Sequence, residues 1–521
     1  MTSSTPRGTR TAPRFWRLSS LAVVASLALS ACADFSGIQS RGTLRPASTL
    51  GLDSQTTSVA PPWARQDWWT QYGDAQLNSL LTQALAGNPS LQQASLRLER
   101  AQALAGGSEA ALLPQVGAVA DLSRDLYTSN GLYPKPLAGS VRSMGTLQAS
   151  GSWELDFFGK NRAALDAALG AVQAAAADAQ AARLLLASQV LRTYFQWARQ
   201  GQQLAVAQRT LEQREEMLGL VQSRLKAGLD TQLELRQSQG SLPDARLQIE
   251  ALQEQIGLTR NALAALVGDP ALAPRLVQPV LPEQISADVP AQVPVNLVGQ
   301  RADVVAARWR VEAASRDTDT ARAQFYPNIN LKAYVGLSAF GFSNVLKSSS
   351  EQAGVSPALS LPIFEGGRLR ANLKAKTADL DSAIAAYNGA VLEAVHDVSD
   401  QLLLSESLWR QQALQHSARQ AAEDAYAIAR QRYQAGLGTY LQVLSAETQV
   451  LAQRRASVDL AARTVDTQVA LWRALGGGWT PQTVAVAPQG AVASGLMAVQ
   501  SALAGPRSAP AVAPNGPPAV P

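Results

Sequence analysis

Hydrophobic positions along this chain change period, and then change it again in the same order. From Leu147 onward, Leu147, Ala149, Gly151, Trp153, Leu155 and Phe157 alternate with Gln148, Ser150, Ser152, Glu154 and Asp156. That period of two predicts a strand with one apolar and one wet face. Val116, Ala118, Ala120 and Leu122 repeat the pattern just after Pro114. Past Gly159 the period becomes helical and persists to Ala227 without a proline, rich in Ala, Leu, Gln and Arg. About 67 residues at about 1.5 Å each is roughly 100 Å of helix. Leu204, Leu211, Leu218 and Leu225 recur every seventh residue, as do Leu235, Leu242, Ile249, Ile256 and Leu263 beyond Gly228. Sustained heptads predict antiparallel neighbours packed like a coiled coil, with Gly228 as the turn. Pro243 falls inside the second of these helices, where a kink or break is expected.

The second half replays the first. Ile329, Leu331, Ala333, Val335 and Leu337 alternate after Pro327, and Val355, Pro357, Leu359, Leu361 and Ile363 do so before "FEGGRLRAN". A long helix then leads to Gly436-Leu437-Gly438, followed by Leu444, Leu451, Val458, Val465 and Trp472. The turns carry kindred phrases, "RLKAGLDTQLELRQSQ" from Arg224 and "RYQAGLGTYLQVLSAE" from Arg432. A repeat of that length is a duplicated supersecondary unit. The first copy is assigned to 63–268, with helices broken by Gly87-Asn88-Pro89, a strand pair in 114–157 and a helical hairpin in 159–268. A linker (269–290) leads to the second copy, 291–477, with a helix, a strand pair in 327–364 and a hairpin in 367–475. The tail 478–521, rich in Ala and Pro without periodicity, is expected to be disordered.

Four strands of about ten residues have the length that crosses a bilayer when tilted. Four cannot close, and lipid does not tolerate open strand edges, because unpaired amides find no water there. Transmembrane barrels start at about eight strands. Three copies would supply twelve, with Gln148, Ser150, Glu154, Asn328, Asn330 and Lys332 facing a wet lumen. The alternative is a soluble sandwich with one solvated face, beside which a ~100 Å shaft is hard to place.

Composition changes this picture little. The chain is 46% hydrophobic and 16% charged, with a net charge of +5. Arg7, Arg10, Arg14 and Arg17 account for most of that excess, so no nucleic-acid partner is expected. Those arginines precede "LSSLAVVASLALSA", the length of a secretory h-region. Leu29-Ser30-Ala31-Cys32 resembles the lipobox of bacterial lipoproteins, which implies a signal peptide of 1–31 and a diacylglyceryl and N-acyl lipid on Cys32. Ala33 in the second mature position favours the outer membrane, and 32–62 reads as a lipid-anchored tether. Cys32 is the one cysteine, which excludes an internal disulfide and a Cys-rich metal site. His396 and His416 lack metal-binding spacing, and no phosphate loop or nucleophile elbow is present, so neither enzyme activity nor a metal or cofactor is expected.

The order of "DWWTQYGDAQLNSLLTQALAGNPSL" (from Asp67), "WELDFFGKNRA" (from Trp153), the two turn phrases and "ARAQFYPNINL" (from Ala321) resembles the TolC-like outer membrane factor family, specifically its NodT-type efflux lipoproteins. The resemblance runs from the lipobox to about Gly477. It implies a membrane β-barrel plus a long α-helical barrel: a homotrimer with a 12-strand barrel, a 12-helix periplasmic tunnel and an equatorial collar. It implies the exit duct of a tripartite pump for small toxic compounds, working with a periplasmic adaptor and an inner-membrane pump, most often of RND type. The turns Arg224, Gly228, Leu229 and Arg432, Gly436, Leu437 match the family's adaptor-docking tips. Thr439, Gln442 and Ser445 match its constriction, where Gln442 and Ser445 stand in place of the usual Asp. Such a ring would have a weaker cation preference than an acidic one. Arg301-Ala302-Asp303 departs from the usual Arg-Pro-Asp. An acylated coiled-coil scaffold without a pore and a duct for type I protein secretion stand as alternatives.

Overall fold

A computed structural model describes residues 35–45, 67–282 and 300–480. The signal peptide, Cys32, most of the tether and the tail lie outside the described residues. Four strands, β1 (Gln115–Leu126), β2 (Val141–Leu155), β3 (Asn328–Phe340) and β4 (Glu351–Ser360), form one antiparallel sheet in chain order. The register gathers most polar positions on one face, with Val119 and Tyr334 among them. Gln148 stands opposite Val119 and Gly336, Ser150 opposite Tyr334, and Glu154 opposite Asn330. On this polar face Gln352 Nε2 donates to Gln148 Oε1 (3.0 Å), and the Thr146 and Ser338 hydroxyls meet at 3.2 Å. Leu147 pairs with Ala120 and Leu337 on the other face, and Ala333 with Val355. Val116, Leu122, Val335, Val355 and Leu359 of that face are exposed. Gly336 is needed where β2 and β3 join the two repeats, because a Cβ there would sit 2.3 Å from the Leu147 carbonyl oxygen.

Below the sheet run α1 (Ala75–Gly87), α2 (Pro89–Ala110), α3 (Lys160–Lys226), α4 (Gln232–Val267), α5 (Ala302–Ala323), α6 (Arg368–Gln434) and α7 (Tyr440–Ala474). Both α3 and α6 have 67 residues, about 100 Å each. α3 pairs with α4 and α6 with α7, while α3 also packs on α7, so the layer reads α4, α3, α7, α6. α1 and α2 cover α3, and α5 bridges α3 and α6. The main core gathers where these cross: Trp68, Leu77, Leu81, Leu191, Tyr194, Trp197, Leu263, Val469 and Trp472 are buried together. Two of these, Leu263 and Trp472, belong to the heptads read from sequence.

The structure corrects one expectation and adds detail to two others. Helix α4 runs unbroken through Pro243, from Gln232 to Val267. The first part of the expected linker, 269–282, lies against the body. A 3-10 turn, Pro270–Arg275, and the extended residues after it stay docked: Leu281 enters the core, and Gln278 Nε2 donates to the Trp197 carbonyl at 2.9 Å. Nor is all of 32–62 a free tether. Residues 35–45 form a strap down α6, with Phe35 edge-on to Phe325 (5.5 Å) at the foot of the sheet. Asp381 accepts from Ser40 Oγ (2.6 Å), Arg41 N (3.0 Å) and Gly42 N (2.9 Å), and Asn388 binds Thr43 O and Arg45 N.

The Arg301 departure lands at a helix start. Arg301 is the N-cap of α5 with ψ 133, and Ala302 is its first residue. The buried guanidinium holds Asp303 at 2.7 and 3.1 Å and Asp397 of α6 at 3.1 Å. Proline suits a first helical position, where the amide lacks an intrahelical partner, and the extended residue before it is compatible. Ala302→Pro is therefore expected to raise stability by about 0.4–1 kcal/mol. Thermal unfolding followed by circular dichroism in detergent checks this; a lowered midpoint contradicts it.

Candidate functional site

The two hairpin tips are built alike. In the first, Gly228 N–H donates to Leu225 O (3.0 Å) and Leu229 N–H reaches back to Arg224 O (2.9 Å). In the second, Gly436 N–H donates to Tyr433 O (3.0 Å) and Leu437 N–H to Arg432 O (2.8 Å). This closure of a helix requires a left-handed residue, and Gly228 and Gly436 have φ of 72 and 78. The next helix then opens on a capping box, Thr231 with Glu234 in one copy and Thr439 with Gln442 in the other. Leu229 and Leu437 project from the tips, exposed, and Arg432 donates to Leu437 O at 3.3 Å.

Arg224 does not project. Its side chain is 11% exposed and pairs with Asp230, 7% exposed, at 3.1 Å. It also donates to Tyr433 O (2.9 Å) and lies 4.5 Å from the centre of the Tyr433 ring. The Tyr433 hydroxyl donates in turn to Asp230. One arginine, one aspartate and one tyrosine thus clasp the first hairpin to the second. Burial draws the guanidinium's pKa down, but the Asp230 hydrogen bond and charge outweigh this and raise it. Burial raises the Tyr433 phenol, and Asp230 raises it further against Arg224. Both stay in the states the clasp needs at neutral pH. Around it Met217, Val221, Tyr426, Tyr440, Val443 and Val450 form a second core.

The arginine is common to both tip phrases, but Gly438 stands in the place of Asp230 and Leu225 in that of Tyr433, so the repeat marks neither partner. Thr439, Gln442 and Ser445 are three apart on an exposed stripe of α7, away from that core. Gln442 has a local task as well, since its Oε1 accepts from Thr439 N–H at 3.2 Å. Higher up, α3 and α7 are joined by paired charges: Arg192 with Asp466 (2.6 Å), Arg199 with Asp459 (2.7 Å) and the more buried Arg214 with Glu447 (3.0 Å). His396 and His416 lie on exposed parts of α6. Among the described residues no group of His, Cys, Asp and Glu could hold a metal ion.

A two-faced sheet whose apolar side is bare, standing on a shaft of about 100 Å, defines a channel-forming protein of an outer membrane. A sequence model of the family "Outer membrane efflux protein" matches residues 80–269 and 293–477. The chain belongs to that family, and it is an efflux channel rather than an enzyme. It is 39% identical over 367 residues to the fusaric acid resistance protein FusA of Burkholderia cepacia, covering 69% of each chain. It is 32% identical to the multidrug resistance outer membrane protein MdtP of Escherichia coli (strain K12), over 80% of this chain and 87% of that one. Among solved structures, the outer membrane protein VceC of Vibrio cholerae superposes with a TM-score of 0.76 at 36% identity, over 80% of this chain and 99% of VceC. A membrane protein from Pseudomonas aeruginosa does so with a TM-score of 0.75 at 30% identity, over 84% of this chain and 100% of that one. The fold is that of the TolC-like channels, and the poreless scaffold is left without support.

Tyr433→Phe keeps the ring over Arg224 and removes the hydroxyl. A hydrogen bond to a charged group contributes about 1.5–3 kcal/mol, so any equilibrium that parts the hairpins should shift roughly ten- to a hundredfold toward the parted state. The measurement is the open fraction of single channels in planar bilayers. An open fraction equal to wild type would show that the clasp does not hold the tips.

Proposed function

We propose that the protein is an acylated homotrimer that carries small toxic compounds out through the outer membrane, with a periplasmic adaptor at its tips and an inner-membrane pump of RND type behind it. The observation that carries the reading is the sheet. Its apolar face is exposed and its edge strands β1 and β4 are unpaired. Three copies would pair β4 of one with β1 of the next and satisfy every edge amide. The names of FusA and the MdtP proteins support a cargo of small organic toxicants.

Lipidation of Cys32 is supported by the strap. Phe35 packs at the foot of the sheet, and three residues span at most about 11 Å. An acyl chain on Cys32 would therefore start beside the inner leaflet. The exposed tip apices, Gly228 with Leu229 and Gly436 with Leu437 and Arg432, fit helical hairpins of an adaptor; Arg224 supports them from within. Metabolic labelling with palmitate should mark the wild type and not Cys32→Ser, while native mass spectrometry should give a trimer. A monomeric wild type would remove the barrel.

The exposed stripe of Thr439, Gln442 and Ser445 is our candidate constriction. Glu234 fills the place of Gln442 in the first capping box, so Gln442→Glu preserves the cap and adds a charge. Combined with Ser445→Asp it should shift the reversal potential in a KCl gradient toward cation selectivity. An unchanged reversal potential would put the stripe outside the pore.

A further inference from the structure

The helical layer has two free edges, α4 and α6, on the same flanks as the free strands β1 and β4. Each edge helix exposes large apolar side chains on the side away from its partner. Below Leu392, which stands on the same face but above the level where α4 ends, those on α6 are Leu403, Leu414 and Ile428; on α4 they are Leu258, Leu247 and Leu233. All six are between 56% and 72% exposed. The inward positions are different residues: Leu408 of α6 is buried and Gln412 bonds Thr464 of α7, while Ile249 and Leu263 of α4 are buried.

The spacing of the two sets is the same when each is followed from the sheet toward the tips. On α6 the steps are 11 and then 14 residues, and on α4, which runs the other way, they are again 11 and 14. Eleven residues are about three helical turns and fourteen about four, so each set returns to one face. Singly scattered surface leucines are ordinary; two equally spaced stripes on opposite edges of one layer are not.

Heights can be compared through the bonds between helices. Gln412 of α6 meets Thr464 of α7, Glu423 meets Arg454, and Arg455 meets Gln248 of α4. These bonds set Leu414 at a height between Leu258 and Leu247, and Ile428 between Leu247 and Leu233. Rotation about an axis along the shaft leaves height unchanged, so the same levels hold between neighbours in a closed ring.

We infer that α6 of one copy packs against α4 of the next through an interdigitated ladder, in which Leu414 enters between Leu258 and Leu247 and Ile428 between Leu247 and Leu233. Leu403 caps the ladder above Leu258. The occupant of each stripe is a second copy of this chain, because the complementary spacing lies on the opposite edge of the same layer and continues the edges of the sheet. The inference rests on the trimer reading and adds its register.

The test is cross-linking of the full-length protein in native membranes. Leu258→Cys with Leu414→Cys, and separately Leu247→Cys with Leu414→Cys, are treated with a short bismaleimide and run on a denaturing gel. Each pair should give covalent dimers and trimers, several-fold above the single variants, which report any background from Cys32. Leu233→Cys with Leu414→Cys, set farther apart along the shaft, should stay at background. If native mass spectrometry finds trimers but the near pairs link no better than the distant one, the ladder is overturned and the trimer stands. If the proteins are monomeric, both fall.

Discussion

Everything in this molecule follows from a sheet that cannot be stable by itself in any one solvent. One face offers Val116, Leu122, Val335 and Val355, and the other offers Gln148, Ser150 and Lys332. Water suits the second face and lipid the first. The edge amides of β1 and β4 then decide the architecture, because in lipid they must find backbone partners. Closure into a barrel answers both demands. The two 67-residue helices follow β2 and β4 after short connections and continue the sheet into the shaft.

Duplication shapes how the shaft is tied together. Both tips use the same glycine closure and the same kind of capping box, yet only the first carries the Arg224 and Asp230 pair that reaches Tyr433 of the second. The seam between the two hairpins mixes apolar clusters that draw on both α3 and α7 with polar pairs; exposed pairs such as Arg192 with Asp466 contribute little, about 0–1 kcal/mol, and the buried clasp contributes more. The clasp thus adds a polar tie between the two hairpins of a protomer at the tip end of the shaft.

Much of this was legible in the chain. Strict alternation gives the strands their faces, and heptad leucines mark α3, α4 and α7, because burial on one side leaves a periodic trace. Contacts made by single polar groups leave none. Asp381 and Asn388 hold the strap from more than three hundred residues away, and Tyr433 meets Asp230 across 203. The resemblance places Arg224 among the docking residues of a tip, while its side chain turns to Asp230 of its own hairpin and Tyr433 of the other. Pro243 taken alone predicts a kink or break, but a helix of 36 residues carries it without a break. Gln442 read as a pore residue although Thr-x-x-Gln also spells a capping box, and the structure shows that second use.

The most direct test of the central claim is residue-by-residue access to the sheet in membranes. Single cysteines at Leu147 and Val335, on one face, and at Gln148 and Ser150, on the other, would be probed with a membrane-impermeant thiol reagent and with a bilayer-restricted quencher of an attached fluorophore. The account predicts alternation along the strand: Gln148 and Ser150 react from water, and Leu147 and Val335 are quenched from lipid. Reaction from water at all four positions would mean that the sheet does not line a membrane pore.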